Sequence, residues 1–235
     1  MRVQRCFAFV DLCGFTAFTE RHGDESTVVV LANFRTALRE IAARRGVRVT
    51  KWLGDGAMLG SGDTAATVAM VLEVANRASA TGARSSTGDG DGLLLPIRAG
   101  LAEGEVILFE GDDYIGRATN IASRLCDAAM PGQVLATREV AAQAPSWVAT
   151  SEALPYPVRG FDQPIEAVRL GVATAELTVQ DPVCGLVLPQ VTGLVGRWAP
   201  DGTRVYFCSL ACALAWEHEQ SAGGSPVGPQ AGGHG

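Results

Sequence analysis

What this chain lacks narrows its role before any motif is read. Basic residues are in the minority: 19 Lys and Arg stand against 25 Asp and Glu, giving a formal net charge of -6. Without a basic stripe, a nucleic-acid backbone is not the expected partner, and a nucleotide-sized anion needs charge compensation built locally. No apolar run reaches the roughly 20 residues required to cross a bilayer. The opening "MRVQRCFAFVDLCGF" has a basic start, but Asp11 breaks its short apolar run, which does not match a secretory leader. Internal repeats are also missing. These absences predict a soluble protein of the reducing cytoplasm, with neither membrane nor nucleic-acid partner. In such a compartment the six cysteines read as thiols or metal ligands rather than disulfides.

What is present is a globular composition, 47% apolar and 19% charged over 235 residues, enough for one domain or one domain with a small module. "RCFAFVDL" is β-rich, and "STVVVLANFRTALREIAARRG" is a helical pattern that Gly46 would stop. "TAATVAMVLEVANRASA" predicts a second helix, followed by a polar, flexible "TGARSSTGDGDG" at residues 81–92. "LLLPIRAGLAEGEVILFEG" predicts two strands joined around Ala102 to Gly104, and "GRATNIASRLCDAAMPG" a helix closed by Pro131 and Gly132. The order suggests an α+β sandwich with helices packed on a mostly antiparallel sheet. After Gly171 the texture changes. The expected organisation is a main domain over residues 1–171, a linker at 172–177, a small Cys-bearing module at 178–219 and a disordered Gly/Pro-rich tail at 220–235.

The chemistry concentrates in three short strings. The first contains Asp11 and Gly14 in "FVDLCGFT", and the second is "KWLGDG" at Lys51 to Gly56, where Asp-Gly between apolar runs signals a β-hairpin. The third is "DYIGRATNIASR" at Asp113 to Arg124, where Asn120 and Arg124 stand four residues apart and share one helix face. Alone, each has an ordinary reading: a helix N-cap for Asp11, a solvated strand residue for Lys51, a polar helix face for Asn120 and Arg124. In this order and spacing, the three strings resemble the signature segments of the class III adenylate/guanylate cyclase catalytic domain, over about residues 5 to 171.

The resemblance implies that Asp11 and Asp55, with the Leu12 carbonyl, hold two Mg²⁺ or Mn²⁺ ions per active site, since hard divalent ions suit oxygen donors. It also implies that the turn at Gly14 and Phe15 offers backbone N–H groups to the β- and γ-phosphates. Lys51 and Asp113 would read the base. Lysine only donates and ionised aspartate only accepts, which matches the N1 acceptor and N6 donor of adenine and mismatches guanine. Asn120 would position the ribose and Arg124 stabilise charge on the α-phosphate. In the family the site lies between two catalytic domains, so a chain carrying one complete set is expected to act as a head-to-tail homodimer with two equivalent sites.

Near the C-terminus, "DPVCGLVL" and "YFCSLAC" resemble the YHS domain, a treble-clef-like module, over about residues 178 to 219. Cys184, Cys208 and Cys212 offer three soft ligands for Zn²⁺ or another thiophilic metal, with Asp181 or His218 as the fourth. Cys6, Cys13 and Cys126 sit in apolar stretches and read as packing. The leading expectation is an adenylate cyclase that turns ATP into cyclic AMP and pyrophosphate, with a metal module that regulates it. The alternatives are a nucleotide-binding sensor without turnover and a metal-handling protein with the larger domain as scaffold.

Overall fold

The computed structural model describes residues 1–84, 95–109, 113–191 and 193–223. The chain runs β1 (Arg2–Leu12), α1 (Phe15–Arg45), β2 (Arg48–Leu53), β3 (Gly56–Ser61), α2 (Thr64–Arg84), β4 (Ile97–Phe109), β5 (Asp113–Ile115), α3 (Arg117–Ala128), β6 (Val134–Thr137), α4 (Arg138–Ala142), β7 (Val148–Thr150), β8 (Leu154–Tyr156) and β9 (Ile165–Val172). A C-terminal part follows with β10 (Thr178–Gln180), β11 (Val187–Pro189), β12 (Val195–Trp198), β13 (Arg204–Phe207) and α5 (Leu210–Gly223).

Among the described residues, nine strands form one sheet in the order β2-β3-β1-β4-β6-β9-β7, with β5 on β4 and β8 on β9. Its pairs are antiparallel except β4 with β6, so the expected α+β sandwich on a mostly antiparallel sheet is what the chain forms. The centre of β1 is buried on both faces because its alternate residues meet different helices. Cys6, Ala8, Val10 and Leu12 join the main core with α1 and α2, whereas Phe7 packs with Met58, Ala102, Val106 and the α3 residues Ala118 and Ala122. Helix α1 buries Thr27, Val30, Phe34, Leu38, Ile41, Ala42 and Arg45, a stripe at helical spacing, and it is broken at Gly23, whose φ is 80°. The stretch from Phe15 to that break is helical too, upstream of the predicted start.

Two sequence expectations shift. The two strands predicted around Ala102 to Gly104 are one strand: β4 pairs with β1 without interruption from Arg2↔Ile107 to Leu12↔Ile97. Its glycines do not turn the chain; they let α3 lie directly on it. A Cβ at Gly100 would stand 2.2 Å from the Cys126 amide nitrogen, and one at Gly104 would stand 3.2 Å from the Ala118 Cβ. The hairpin turns one residue early. Leu53 pairs with Gly56, so Gly54 and Asp55 form the tip, with Gly54 supplying the left-handed φ of 67°. Gly56 belongs to β3, where a Cβ would press 2.8 Å from the Val10 carbonyl oxygen and 3.1 Å from Asp11 Oδ1.

Helix α2 runs to Arg84, past the predicted end, and residues 85–92 of the polar stretch lie outside the described residues, as do residues 224–235 of the tail. Among the described residues no helix is long and apolar enough to cross a membrane.

The C-terminal part shares its buried core with the main domain. Cys184, Leu186, Leu188, Phe207, Cys208 and Cys212 belong to the same buried core as the α1 and α2 residues. Trp147, just before β7, is 1% exposed, and its Nε1 donates to the Cys208 carbonyl at 2.9 Å.

Candidate active site

Three strands and one turn bring the two acidic candidates together. Asp11, near the end of β1, stands between Gly56 of β3 and Arg98 of β4 in register, and Asp55 occupies the hairpin tip beside it. The Leu12 amide donates to the Asp55 carbonyl at 3.4 Å, tying the tip to β1. Burial first, and then the Asp11 charge among the other causes, raise Asp55 above the usual carboxylate range. A carboxylate whose proton affinity is raised by burial and by a neighbouring carboxylate marks a site that favours a cation.

Arg98, which the motif reading did not single out, fills part of that role. Its Nε and Nη2 donate to Asp11 Oδ2 at 2.9 and 2.7 Å, and its Nη1 to the Asp127 carbonyl at 3.2 Å. Leu12 is buried, and Gly14 caps α1 in the left-handed conformation with φ of 76° and no side-chain cap. The first amides of α1 therefore lack intrahelical partners next to the carboxylates, at the positive end of the helix dipole.

A bulge at Thr50 shifts the β2 register between Val49 and Lys51, and the Thr50 hydroxyl donates to the Met58 carbonyl at 2.9 Å. Lys51, the only lysine in the chain, forms an ion pair with Asp113 at the start of β5. The two side chains are 47% and 45% exposed, so the pair contributes at most about 1 kcal/mol to stability. On α3, Asn120 is exposed, and Arg124 pairs with Asp127 Oδ2 at 3.0 Å. The candidates thus fall into groups: Asp11 with Asp55 and Arg98, Lys51 with Asp113, and Arg124 with Asp127. Arg98 joins the first group to the third through Asp127.

The second cluster lies in the C-terminal part. Asp181, Cys184, Cys208 and Cys212 are buried, and their ligand atoms all lie within 4.8 Å of one another. Cys184 Sγ is 3.7 Å from Cys208 Sγ, which is 3.6 Å from Cys212 Sγ. A tetrahedron with metal–sulfur bonds of about 2.3 Å has edges of about 3.8 Å, so these residues fit a thiophilic ion. Asp181 is the acidic member of the group; His218 is exposed on α5 and is not in it.

The Asp181 carboxylate also shapes both cysteine turns, accepting from the Val183 and Cys184 amides at 2.9 and 3.3 Å and from the Cys208 amide at 2.8 Å. Hydrogen bonds with Cys184 and Cys208, opposed by burial and helped by Arg45, lower the Cys212 thiol, while bonds with Cys208 and Cys212, joined by burial, push Cys184 up. Cys6 and Cys126 are buried in the core as expected, and Cys13 is half-buried.

The model of the family described as Adenylate and Guanylate cyclase catalytic domain matches residues 3–166. An uncharacterised protein of Mycobacterium tuberculosis is 33% identical over 162 residues, covering 69% of this chain and 40% of the relative. An adenylate cyclase of Streptomyces coelicolor is 33% identical over 129 residues, covering 54% of this chain and 30% of the relative. The chain thus spans less than half the length of these curated relatives. The crystal structure of the adenylyl cyclase CyaB from P. aeruginosa superposes with a TM-score of 0.65 at 26% identity, covering 75% of this chain and 98% of that one. The guanylyl cyclase Cya2 has the same fold, with a TM-score of 0.63 at 20% identity over 75% of this chain and 96% of that one.

Proposed function

The chain belongs to the family of adenylate and guanylate cyclase catalytic domains, and from that premise we propose that it converts ATP to 3′,5′-cyclic AMP and pyrophosphate as a head-to-tail homodimer in the cytoplasm. In each site Asp11 and Asp55 come from one subunit, and Lys51, Asp113, Asn120 and Arg124 from the other. The observation that carries the adenine reading is the exposed ion pair of Lys51 with Asp113, a donor and an acceptor held side by side where they add little stability. Lys51 donates to adenine N1 and Asp113 accepts from N6. Guanine in the same pose leaves both pairs mismatched. The cross-strand pair Ile107 and Ile115, exposed with Phe109 on β4 and β5, supports an apolar interface beside Asp113.

The paired carboxylates, the Leu12 carbonyl and the cation-favouring proton affinity of Asp55 fit Mg²⁺ or Mn²⁺, two ions per site. When bound, such ions supply activation of the ribose 3′-oxygen and screening of the leaving pyrophosphate. The 3′-oxygen attacks the α-phosphorus, the bond from that phosphorus to the bridging oxygen breaks, and the 3′-proton leaves to solvent or to a substrate phosphate. Asn120 orients the ribose. Arg124 exchanges Asp127 for the α-phosphate and meets the charge that develops there. The uncapped amides at the start of α1 receive the β- and γ-phosphates.

For the C-terminal part we propose a YHS-like module holding one Zn²⁺ or other thiophilic ion on Cys184, Cys208, Cys212 and Asp181.

The test is cyclic nucleotide formation by the purified chain given ATP or GTP with Mn²⁺ or Mg²⁺, beside an Asp55→Ala variant. Cyclic AMP from ATP, little product from GTP and none from the variant is the expected result. Replacing Lys51 by Ala strips one partner from a desolvated base contact, a cost of about 1–3 kcal/mol, or roughly 5- to 150-fold in kcat/KM for ATP. ATP binding by proven dimers without product under either metal would replace this reading with a nucleotide sensor.

A further inference from the structure

Among the groups that this mechanism leaves unused, one is both buried and shared between the two parts of the chain. Arg45, the last residue of α1, is 5% exposed. Its Nε and Nη2 reach Glu73 Oε2 on α2 at 2.9 and 2.8 Å. Its Nη2 also lies 3.2 Å from Cys208 Sγ and 3.8 Å from Cys212 Sγ, and its Nη1 donates to the Ser209 hydroxyl at 3.3 Å. Glu73 is fully buried and is held as well by Arg44 and, at 3.0 Å, by Arg77. One guanidinium therefore spans from the carboxylate inside the helical layer of the cyclase domain to two sulfurs of the C-terminal cluster.

We propose that Arg45 is a positioning residue for the cluster of Asp181, Cys184, Cys208 and Cys212, and that it transmits metal occupancy to the end of α1 and to β2, the strand that carries Lys51. The proposal rests on the metal reading of the cluster given above. A divalent ion on three thiolates and one carboxylate carries two net negative charges, in a region closed to water where an unpaired charge is costly. Arg45 sets a cation against the sulfur side of that anion and is itself fixed by Glu73, as an outer-sphere partner fixes metal ligands elsewhere.

Without the metal the sulfurs are no longer joined to one centre, and the guanidinium that faces Cys208 and Cys212 loses its fixed partner on that side. The disturbance falls where α1 ends. The Gly46 amide donates back to the Ala43 carbonyl at 3.4 Å, the Val47 amide to Ala42 at 3.0 Å, and β2 begins at Arg48. Lys51 is six residues from Arg45, on a strand with one sheet neighbour among the described residues, so a shift at the helix end has little to absorb it before the bulge at Thr50.

The test uses the full chain without nucleotide or Mg²⁺, loaded with Zn²⁺ or stripped of it by a chelator. Zn²⁺ affinity is read by competition with a chromophoric chelator, and amide hydrogen exchange is read across residues 44–53 against β1 and β4. The wild type is expected to hold one Zn²⁺ per chain, and stripping to speed exchange at 44–53 at least tenfold while β1 and β4 stay protected. Arg45→Met should weaken Zn²⁺ binding at least tenfold, and Arg45→Lys, which keeps the charge, should restore most of the loss. Should Arg45→Met fail to fold, the wild-type exchange comparison decides alone. Zn²⁺ bound at one per chain with unchanged exchange at 44–53, or held by Arg45→Met as tightly as by wild type, overturns the coupling and leaves the metal reading standing. A wild type that binds no Zn²⁺ overturns both.

Discussion

Cys6 and Cys126 take no part in the proposed chemistry, yet they carry a pH dependence of their own. Burial, joined by the charge of Glu103 near the first and of Asp11 near the second, pushes both thiols from 9.0 up to about 12. Between these values the unfolded chain releases a proton that the folded chain keeps. The folded state then binds more protons, so stability is complete below about pH 9 and declines as pH rises toward 12, by up to about 1.4 kcal/mol per pH unit for each thiol. Urea unfolding at about pH 8 and about pH 10.5, for wild type and a Cys6→Ala/Cys126→Ala variant, isolates this effect from the tyrosines and the cluster thiols. The decline should be smaller in the variant by roughly 3–4 kcal/mol. Equal declines would place both thiols in water when folded. At this scale the sequence made Lys51, Asp11 and Asp55 legible because each stands in a short string whose neighbours are characteristic. Arg98 and the pair of Arg45 with Glu73 were not legible, since their partners lie 87 and 28 residues away and only strand register and helix packing make them neighbours.

Among the elements, β4 shows what local pattern conceals. A glycine pair in an apolar run has two physical meanings, a turn or a close approach of another backbone, and the sequence alone favoured the turn. Helix α3 decides between them by lying on Gly100, and through that contact the strand sets where Asn120 and Arg124 stand. Gly100→Ala should therefore cost about 3 kcal/mol or more, because the new methyl meets backbone atoms of α3 that cannot rotate away. Gly104→Ala meets a side-chain methyl and should cost about 1 kcal/mol, whereas Gly171→Ala on β9 faces open space and should stay within about 0.5 kcal/mol. Thermal unfolding of the three variants checks the order. A Gly100→Ala protein as stable as Gly171→Ala would mean that α3 does not rest on the β4 backbone. The helices and the sheet class were legible because periodicity reports a face that must be buried. The turn position at Gly54 and Asp55 was not, since Asp-Gly signals a turn without fixing which residue takes positive φ, and the contact of Gly56 with Asp11 requires knowing that β1 and β3 pair.

For the molecule as a whole, the question is whether the C-terminal part is an appendage or a wall of the core. The sequence drew a boundary at Gly171 from a change in composition, and β9 does end at Val172. The buried core includes residues from both sides of that line. Leu186, Leu188 and Phe207 are wholly buried in the core that α1 and α2 share, and Trp147, on the near side of the boundary, gives its indole N–H to Cys208 on the far side. A chain ending after Ala173 would leave Trp147 and the buried pair of Arg45 with Glu73 without their cover. Large apolar side chains are worth about 1.5–3 kcal/mol each when buried, so the loss should reach about 3 kcal/mol or more and lower the unfolding midpoint by roughly 6–12 °C. Trp147 emission should shift to longer wavelength, against a background reduced to Trp52 once Trp198 and Trp216 are gone. A truncated chain with the full-length midpoint and an unshifted Trp147 would show that the sheet and its helices close their own core. The lowered midpoint would mean that this catalytic domain has given part of its inner surface to the module. Any signal reaching the cysteine cluster would then act on the core from within.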